Sequence, residues 1–157
     1  MKIGIGYDIH RMTQGRRLVL GGVEIPYVKG LEGHSDADVL LHAVCDAALG
    51  ALGKGDIGEH FPDTDPALKN ISSGLLLKRI YAIIQKEGFV VKNVDTVLIA
   101  DEPKVAPFKD GMRDNIARIL NIDRRAVNIK ATTNEGVGAI GRGEAIAAQA
   151  VVLLEEL

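Results

Sequence analysis

The chain has 157 residues, and its 19 Lys and Arg nearly balance its 21 Asp and Glu, giving a formal net charge of -2. A chain without a basic surface, with no Trp and only three Phe and three Tyr, lacks both the field and the stacking platforms that nucleic acids need, so we expect no nucleic-acid partner. One cysteine excludes an intramolecular disulfide, and the lack of a leader or of an apolar run of about 18 residues predicts a cytoplasmic protein with no membrane partner.

The first part of the chain predicts three strands, at residues 2–7, 18–20 and 23–27. A pair of glycines between the second and third strands favours a hairpin turn. Asp8 and His10 follow the first strand, and alternate residues of an extended segment point to the same side. We therefore expect these two side chains to converge on one site at the end of the strand.

A mostly apolar helix over residues 33–52 comes next. Ser35 and Asp38 match a capping box at its start, and a glycine follows its end. Within this helix Asp38, His42 and Asp46 recur every four residues and form a polar stripe. The stripe predicts that His42 faces a site, a partner chain or water, and that Asp46 orients its imidazole.

The remainder alternates irregular segments, helices and strands without a repeat or a linker. Residues 55–66 predict an irregular loop, and helices are predicted from the Ser72 cap to Gly88 and over residues 108–120. Strands are predicted at residues 94–100, 127–132 and 143–154. This order predicts one α/β domain over residues 1–157, with two layers, in which a mixed β-sheet packs against helices.

Asp8, His10 and His42 together offer one carboxylate and two imidazoles. Catalytic zinc sites use such a set and keep a fourth position open for water or substrate. The same set also forms the facial triad of non-haem iron oxygenases. A purely structural interpretation stays open too, because Asp-x-His pairs are common by chance and a helical histidine is often a hydrogen-bonded core residue.

His34 and Ser35 stand at the predicted helix start, where free N–H groups and the helix dipole favour an anion such as phosphate. The alternative is that Ser35 only caps the helix.

A second polar cluster, Thr132, Thr133, Glu135 and Arg142, follows a strand and surrounds a glycine-rich stretch. Two hydroxyls, a carboxylate and an arginine can hold a diphosphate with a divalent ion. A plain glycine-rich turn is the structural alternative.

Taken in order, six segments of the chain resemble the 2-C-methyl-D-erythritol 2,4-cyclodiphosphate synthase family: GYDIH, GHSDADVLLHA, GDIGEHFPDTDP, ADEPK, KATTNEG and GRGEAIA. The resemblance covers essentially the whole chain. It implies a homotrimer of α/β subunits with active sites between neighbouring chains. It also implies cyclisation of 4-diphosphocytidyl-2-C-methyl-D-erythritol 2-phosphate with release of CMP, in the non-mevalonate route to isoprenoids.

The same resemblance implies a role for individual residues. Asp8, His10 and His42 bind Zn2+, and Glu135 binds Mg2+ or Mn2+ together with the diphosphate. His34 and Thr133 act as catalytic stabilisers of the reacting phosphates. The implied substrate-binding residues are Asp8, His10, His34, Ser35, Asp56, Ile57, Gly58, Phe61, Pro62, Asp63, Thr64, Asp65, Ala100, Asp101, Glu102, Pro103, Lys104, Val105, Ala106, Thr132, Thr133, Asn134, Glu135, Ala139 and Arg142.

Two positions depart from the family pattern. Ala139 stands where several relatives carry an aromatic residue, and Glu102 places a carboxylate in the segment expected to frame cytosine. Two alternatives to the synthase remain: a non-catalytic, zinc-containing nucleotide-binding trimer, and a non-haem iron oxygenase, whose usual β-sandwich scaffold fits poorly with the predicted helices.

Overall fold

The computed structural model describes residues 1–157 and contains seven strands and five helices, with three short 3-10 turns between them. The strands are β1 Lys2–Gln14, β2 Leu18–Leu20, β3 Val23–Ile25, β4 Lys29–Leu31, β5 Phe89–Ile99, β6 Val127–Thr132 and β7 Ala145–Glu156. The helices are α1 Val39–Leu52, α2 Ile57–His60, α3 Ser73–Lys86, α4 Lys109–Leu120 and α5 Gly138–Gly141.

Five strands form one sheet in the order β4-β1-β7-β5-β6, and β2 and β3 form a separate hairpin. The β5–β6 pair is parallel, whereas β1 pairs antiparallel with β4 and β7, and β5 pairs antiparallel with β7. Helix α1 packs on β1 and β7, α3 packs on α1 and β5, and α4 packs on α3 and β6. The predicted α/β class, with a mixed sheet packed against helices, is confirmed.

Helix α1 lies at the centre of the apolar core, and eleven of its 14 residues are buried. It approaches β1 so closely that only glycine fits beneath it. A Cβ atom added to Gly4 would lie 2.0 Å from the carbonyl oxygen of Ala47, and one added to Gly6 would lie 1.9 Å from that of Ala43. The strand and the helix are therefore in direct backbone contact, with no layer of side chains between them.

The opposite face of β1 is apolar but exposed. Ile3, Ile5, Tyr7 and Ile9 retain 69%, 72%, 52% and 44% of their surface, respectively. These four residues alternate along the strand and so line one side of it. We refer to them as the β1 apolar stripe.

No helix in the molecule is both long enough and apolar enough to traverse a bilayer.

Several predicted boundaries were wrong in an informative way. Strand β1 continues to Gln14, because its pairing with β7 extends to Arg11 and its pairing with β4 follows, so Asp8 and His10 lie within the strand and not beyond its end. The segment predicted as an irregular loop contains helix α2, which Asp56 caps by accepting a hydrogen bond from the Glu59 N–H at 3.0 Å. Strand β4 and helix α5 were not predicted at all.

The start of α1 also differs from the prediction, because Asp38 and not Ser35 is its N-cap. The Asp38 carboxylate accepts hydrogen bonds from the N–H groups of Leu41, Gly21 and Gly22 at 3.1, 2.9 and 2.7 Å. A fully buried carboxylate thus occupies the helix N-terminus and joins it to the β2–β3 turn. Ser35 lies about one turn before the helix begins, so the free N–H groups and dipole of the α1 N-terminus do not provide an anion site at Ser35.

Candidate active site

Asp8 and His10 on β1 meet His42 on α1, as the sequence predicted. The Asp8 carboxylate oxygen lies 2.9 Å from His10 Nε2 and 3.0 Å from His42 Nδ1, and the two nitrogens lie 3.3 Å apart. The three atoms form a triangle whose edges are close to the roughly 3.3 Å edge expected for a tetrahedral zinc with bonds of about 2.0–2.1 Å. We call these three residues the metal triad.

The hydrogen bonds on the far sides of both rings indicate where their protons lie. The Nδ1 atom of His10 is 2.6 Å from the carbonyl oxygen of Glu32, which only accepts, so this nitrogen carries the proton. His42 Nε2 is 2.9 Å from Ser73 Oγ, whose own proton is donated to the Asp36 carboxylate. Both neutral rings therefore present lone pairs to the Asp8 carboxylate, an arrangement that a cation satisfies and that fits a zinc ion.

A proton can occupy the triad in place of a metal, and the electrostatics of Asp8 and His10 describe that protonated state. Burial favours the neutral form of Asp8, but hydrogen bonds and charge from His10 and His42 outweigh it and hold the pKa of Asp8 at about 2. Burial likewise disfavours the charged form of His10, but the hydrogen bond and charge of Asp8 raise its pKa above 6.5. Asp8 is thus ionised at neutral pH and attracts a positive charge, whether a proton on His10 or a metal.

Asp46 does not orient His42, contrary to the sequence-based hypothesis. Its carboxylate instead accepts a hydrogen bond from the Ile57 N–H at 2.7 Å, which holds α2 against α1. The ring of His42 turns its Nε2 toward α3, where Ser73 and not Asp46 is the partner. The four-residue spacing placed Asp46 and His42 on one helix face, but it did not determine which way the ring points.

His42 also borders a cavity of about 110 Å³, the histidine cavity. Its lining residues are His34, Ser35, His42, Ile57, Gly58, Phe61, Asp63, Leu68, Ile71 and Leu76. His34 Nε2 donates to the carbonyl oxygen of Asp65, which only accepts, at 2.9 Å, and so joins two walls of the cavity. The predicted His34-Ser35 corner and the start of the predicted substrate loop therefore do come together beside the metal triad.

Arg16 is a residue that the sequence did not single out. Its two terminal nitrogens donate to the carbonyl oxygens of Gly33 and Ser35 at 3.0 and 2.7 Å. The planar guanidinium thus holds the backbone on both sides of His34. No local pattern in the sequence signals this contact, because Arg16 lies in the β1–β2 turn and reaches its partners through space.

A second cavity of about 400 Å³, the threonine cavity, opens at the ends of β5 and β6. Its lining residues are Ala100, Asp101, Pro103, Lys104, Val105, Ala106, Ala131, Thr132, Thr133 and Glu135. Most of the residues assigned by resemblance to the nucleotide and the diphosphate therefore line one concave surface.

Asp101 fixes the polar loop of this cavity. Its two carboxylate oxygens accept hydrogen bonds from the N–H groups of Asn134 and Gly136 at 2.7 and 3.0 Å. Between them Glu135 adopts a left-handed conformation with φ of 52°, and its N–H donates to Thr133 Oγ1 at 3.2 Å. This loop conformation is uncommon for a residue other than glycine, and the Asp101 carboxylate holds it in place.

The remaining predicted residues lie outside both cavities. Asp56 and Asp65 cap short helical turns, and Pro62 and Thr64 lie beside them in the same loop. Glu102 accepts a hydrogen bond from the Tyr27 hydroxyl at 3.2 Å, and Asn134 donates one to the Val137 carbonyl oxygen. Ala139 borders a separate depression next to His10. Arg142 forms a salt bridge with Glu144 at 2.9 Å.

The two cavities lie at the same end of the sheet but on different strands. Ile9, Ala147, Ile99 and Thr132 are consecutive partners across β1, β7, β5 and β6. Three strand spacings of about 4.8 Å separate the first from the last, which is roughly 14 Å. Within one chain, the metal triad and the threonine cavity are therefore neighbours along one edge and not two walls of a single pocket.

The comparisons with known proteins agree with this geometry. The sequence model of the YgbB family matches residues 1–155. A relative from Chloroherpeton thalassium, named 2-C-methyl-D-erythritol 2,4-cyclodiphosphate synthase, is 57% identical over 157 residues and covers 100% of both chains.

Two solved structures have the same fold. The bifunctional IspDF of Campylobacter jejuni superposes with a TM-score of 0.95 at 45% identity, over 99% of this chain, which spans 42% of that longer protein. The CDP complex of IspF from Plasmodium falciparum superposes with a TM-score of 0.87 at 36% identity, over 99% of this chain and 96% of that chain. Because the family model covers nearly the whole chain and a relative matches it from end to end, the chain belongs to the YgbB family, that of the 2-C-methyl-D-erythritol 2,4-cyclodiphosphate synthases.

Proposed function

We propose that this enzyme cyclises 4-diphosphocytidyl-2-C-methyl-D-erythritol 2-phosphate to 2-C-methyl-D-erythritol 2,4-cyclodiphosphate and releases CMP, in the non-mevalonate route to isoprenoids. The observation that carries the proposal is the metal triad, in which two imidazole lone pairs and a carboxylate converge within 3.3 Å. It supports Zn2+ because nitrogen and carboxylate ligands in a triangle of this size suit that ion.

The reaction needs positioning more than it needs a nucleophilic side chain. An oxygen of the 2-phosphate attacks the β-phosphorus of the same molecule, and the bond from that phosphorus to the α-phosphate oxygen breaks as CMP leaves. The attacking oxygen is already anionic, so holding both phosphates in line and neutralising their charge suffices. The divalent ion, when bound, supplies positive charge that orients a phosphate oxygen and draws electrons from phosphorus.

The chain's own residues divide that work between the two cavities. In the histidine cavity, Ser35 is placed to donate a hydrogen bond to the 2-phosphate end, while Ile57, Gly58 and Phe61 enclose the carbon skeleton. The Nε2 proton of His34 is used on Asp65, so His34 would donate from Nδ1, and add a positive charge, in its imidazolium form.

In the threonine cavity, Thr132 and Thr133 would donate to the diphosphate, with Glu135 holding Mg2+ or Mn2+ beside it. Ala100 to Ala106 would frame the cytosine, and the CDP complex of the Plasmodium falciparum relative supports a cytidine nucleotide as the ligand class.

We further propose that the enzyme is a homotrimer whose active sites lie between chains. The separation of roughly 14 Å between the two halves of the site on one chain supports this. The β1 apolar stripe supports it as well, because four exposed large apolar side chains on one strand form the kind of surface that a partner covers. Residues assigned to the site but lying outside both cavities, such as Arg142, would then act across the interface.

The experiment that tests the function is a CMP-release assay on the purified enzyme. We expect release from the diphosphocytidyl substrate, loss of release after treatment with a chelator, and recovery on addition of Zn2+ with Mg2+. The His42→Ala variant should bind no zinc and release no CMP. Binding of CMP without any release, with both metals supplied, would instead identify a non-catalytic nucleotide-binding trimer. The oxygenase alternative has no support from the mixed α/β fold or from the family.

A further inference from the structure

We propose that Ser73 and Asp36 are positioning residues that determine which ring nitrogen of His42 carries the proton, and so keep its other nitrogen free for the metal. This inference rests on the metal site proposed above. It concerns two residues that form no hydrogen bond with Asp8 or His10, and one of them, Ser73, lies 31 residues from His42 in sequence.

Ser73 is the first residue of α3, is fully buried, and brings its hydroxyl oxygen to 2.9 Å from His42 Nε2. Its hydroxyl proton is donated to one Asp36 carboxylate oxygen, and its N–H is donated to the other at 3.1 Å. Asp36 is in turn anchored, because its own N–H donates to the Ile71 carbonyl oxygen at 3.0 Å. Hydrogen bonds thus run without a break from Asp36 through Ser73 to His42, and the backbone of Ile71 holds Asp36 in place.

The direction of each hydrogen bond follows from the chemistry of its end group. An ionised carboxylate only accepts, so the single proton of the Ser73 hydroxyl goes to Asp36. The Ser73 oxygen can then only accept from His42, which requires the proton on Nε2. In a neutral imidazole the other nitrogen, Nδ1, is then a lone pair, and it is the atom that lies 3.0 Å from Asp8 within the triad.

The hydroxyl of Ser73 has no other evident use. Helix α3 is already capped by the preceding residue, since Ser72 Oγ accepts from the Gly74 N–H at 3.2 Å. A helix needs one such side chain at its start, and the second serine points away from solvent into the core. Two adjacent serines therefore have separable roles, one for the helix and one for His42.

The same proton assignment determines what Ser35 can do. Its hydroxyl oxygen lies 3.2 Å from His42 Nε2 and accepts from the Ala37 N–H at 3.1 Å. Because His42 Nε2 carries a proton, Ser35 cannot donate to it. Its own proton remains available to an anion in the histidine cavity, which Ser35 lines. Asp36 and Ser73 thereby prepare a metal ligand and a phosphate donor together.

Ser73→Ala tests the inference, with Ser72→Ala as the matched control on the same helix. Without the Ser73 oxygen, the proton of His42 is free to move to Nδ1, where the Asp8 oxygen accepts it and the metal must displace it. We expect Ser73→Ala to weaken zinc binding by about 10- to 100-fold, measured by competition with a chromophoric chelator. Ser72→Ala should lower the melting temperature and leave zinc affinity unchanged.

A second readout is the tautomer of His42 in the metal-free protein, observed by long-range 1H–15N correlation NMR. Wild-type protein should show the proton on Nε2, and Ser73→Ala should shift it toward Nδ1. Asp36→Asn keeps an oxygen acceptor but removes the charge, so it should weaken zinc binding less than Ser73→Ala does. If Ser73→Ala does not fold, the zinc affinity and the His42 tautomer of Asp36→Asn test the positioning role instead.

The outcomes separate the inference from the function on which it rests. Wild-type protein that binds no zinc would refute the metal site itself. Wild-type protein that binds zinc, with Ser73→Ala and Asp36→Asn binding it equally tightly and His42 in an unchanged tautomer, would leave the metal site intact and refute the positioning role.

Discussion

The Nε2 atom of His10 can hold either a proton or a metal ion, and Asp8 influences both. This atom is 2.9 Å from the Asp8 carboxylate, and the Nδ1 of the same ring donates to the Glu32 carbonyl oxygen. Burial lowers the pKa of His10, but the influence of Asp8 is larger and raises it above 6.5. A proton on Nε2 therefore competes directly with a metal ion for the same lone pair.

Zinc affinity is accordingly expected to depend on pH. Above the pKa of His10 the ring is neutral and the affinity levels off, whereas below it each pH unit should weaken binding by about tenfold as one proton is displaced. Titration with zinc between pH 5 and pH 8 measures this directly. Asp8→Asn should weaken zinc binding at every pH and move the midpoint of the pH dependence to lower pH, because it removes the charge that raises the pKa of His10. An affinity independent of pH would contradict His10 as a ligand.

Glu135, which we propose holds Mg2+ or Mn2+, should act independently of the metal triad. Glu135→Gln removes a charge from the threonine cavity, which is roughly 14 Å from the triad, so zinc content should be unchanged. The Mg2+ concentration needed for half-maximal CMP release should rise about tenfold, equivalent to about 1.4 kcal/mol. Glu156→Gln, at the exposed end of β7, is the control and should change neither value. Loss of zinc from Glu135→Gln would show that the two sites are not independent.

Residue types were easier to predict from the sequence than their orientations. Asp8, His10 and His42 were identified because strand alternation and helix periodicity limit which side chains can meet. Asp46 was misassigned because periodicity says nothing about the rotation of an imidazole ring. Ser73 was missed because its hydroxyl acts across two elements that lie 31 residues apart in sequence.

At the scale of elements, Asp38 connects the hairpin to helix α1. Asp38→Ala would leave the buried N–H groups of Leu41 and Gly21, and the partly buried N–H of Gly22, without an acceptor. We expect the free energy of unfolding to fall by about 3 kcal/mol or more, because unpaired buried donors and a lost helix cap each destabilise the fold. For a protein of this size that is a decrease of about 6–12 °C in melting temperature.

The control for Asp38→Ala is Asp123→Ala, which removes a capping carboxylate from an exposed 3-10 turn. Its melting temperature should change far less. Equal effects of the two variants would mean that the link between the hairpin and α1 contributes no more than an ordinary surface cap.

The loop that carries Glu135 depends similarly on one carboxylate. Asp101→Ala removes both acceptors that hold the Asn134 and Gly136 N–H groups, so the left-handed conformation at Glu135 loses its support. We expect kcat/KM for CMP release to fall by about 10- to 100-fold, with little change in melting temperature, because the loop is exposed. Asp114→Ala, which removes an exposed partner of Arg124, is the control. Unchanged kinetics would place the loop outside the active site.

Element boundaries were predictable where the deciding contact is local. Helix α3 begins after the predicted Ser72 cap, and α4 ends at Leu120, followed by Asn121 in the left-handed conformation typical of a C-cap. The start of α1 was not predictable in this way. Ser35 and Asp38 are both good caps in sequence, and the choice is made by the hairpin N–H groups that only Asp38 reaches.

At the scale of the whole molecule, the exposed β1 apolar stripe predicts self-association. Ile5→Lys places a charge on a side chain that is 72% exposed in the single chain, and a trimer interface would have to bury that charge. We expect sedimentation analysis to show a trimer for the wild type and monomers for the variant. The variant should retain its zinc affinity but lose CMP release.

Val28→Lys is the matched control for that experiment. Val28 is 75% exposed but lies between β3 and β4, away from the stripe, so its variant should remain trimeric and active. A monomeric wild type that releases CMP would contradict the proposal that the active site is shared between chains.

The direct contact between β1 and α1 has a consequence for the metal triad. Gly4 and Gly6 set the spacing between the element that carries Asp8 and His10 and the element that carries His42, and they set it at the minimum that two backbones allow. The distance between the ligands on β1 and the ligand on α1 is therefore set by two positions without side chains, about 7 and 13 Å along the strand from Asp8. A single methyl group at Gly4 would push β1 and α1 apart and lengthen the distances from Asp8 and His10 to His42. The metal selectivity of the triad would then change although all three ligands are still present.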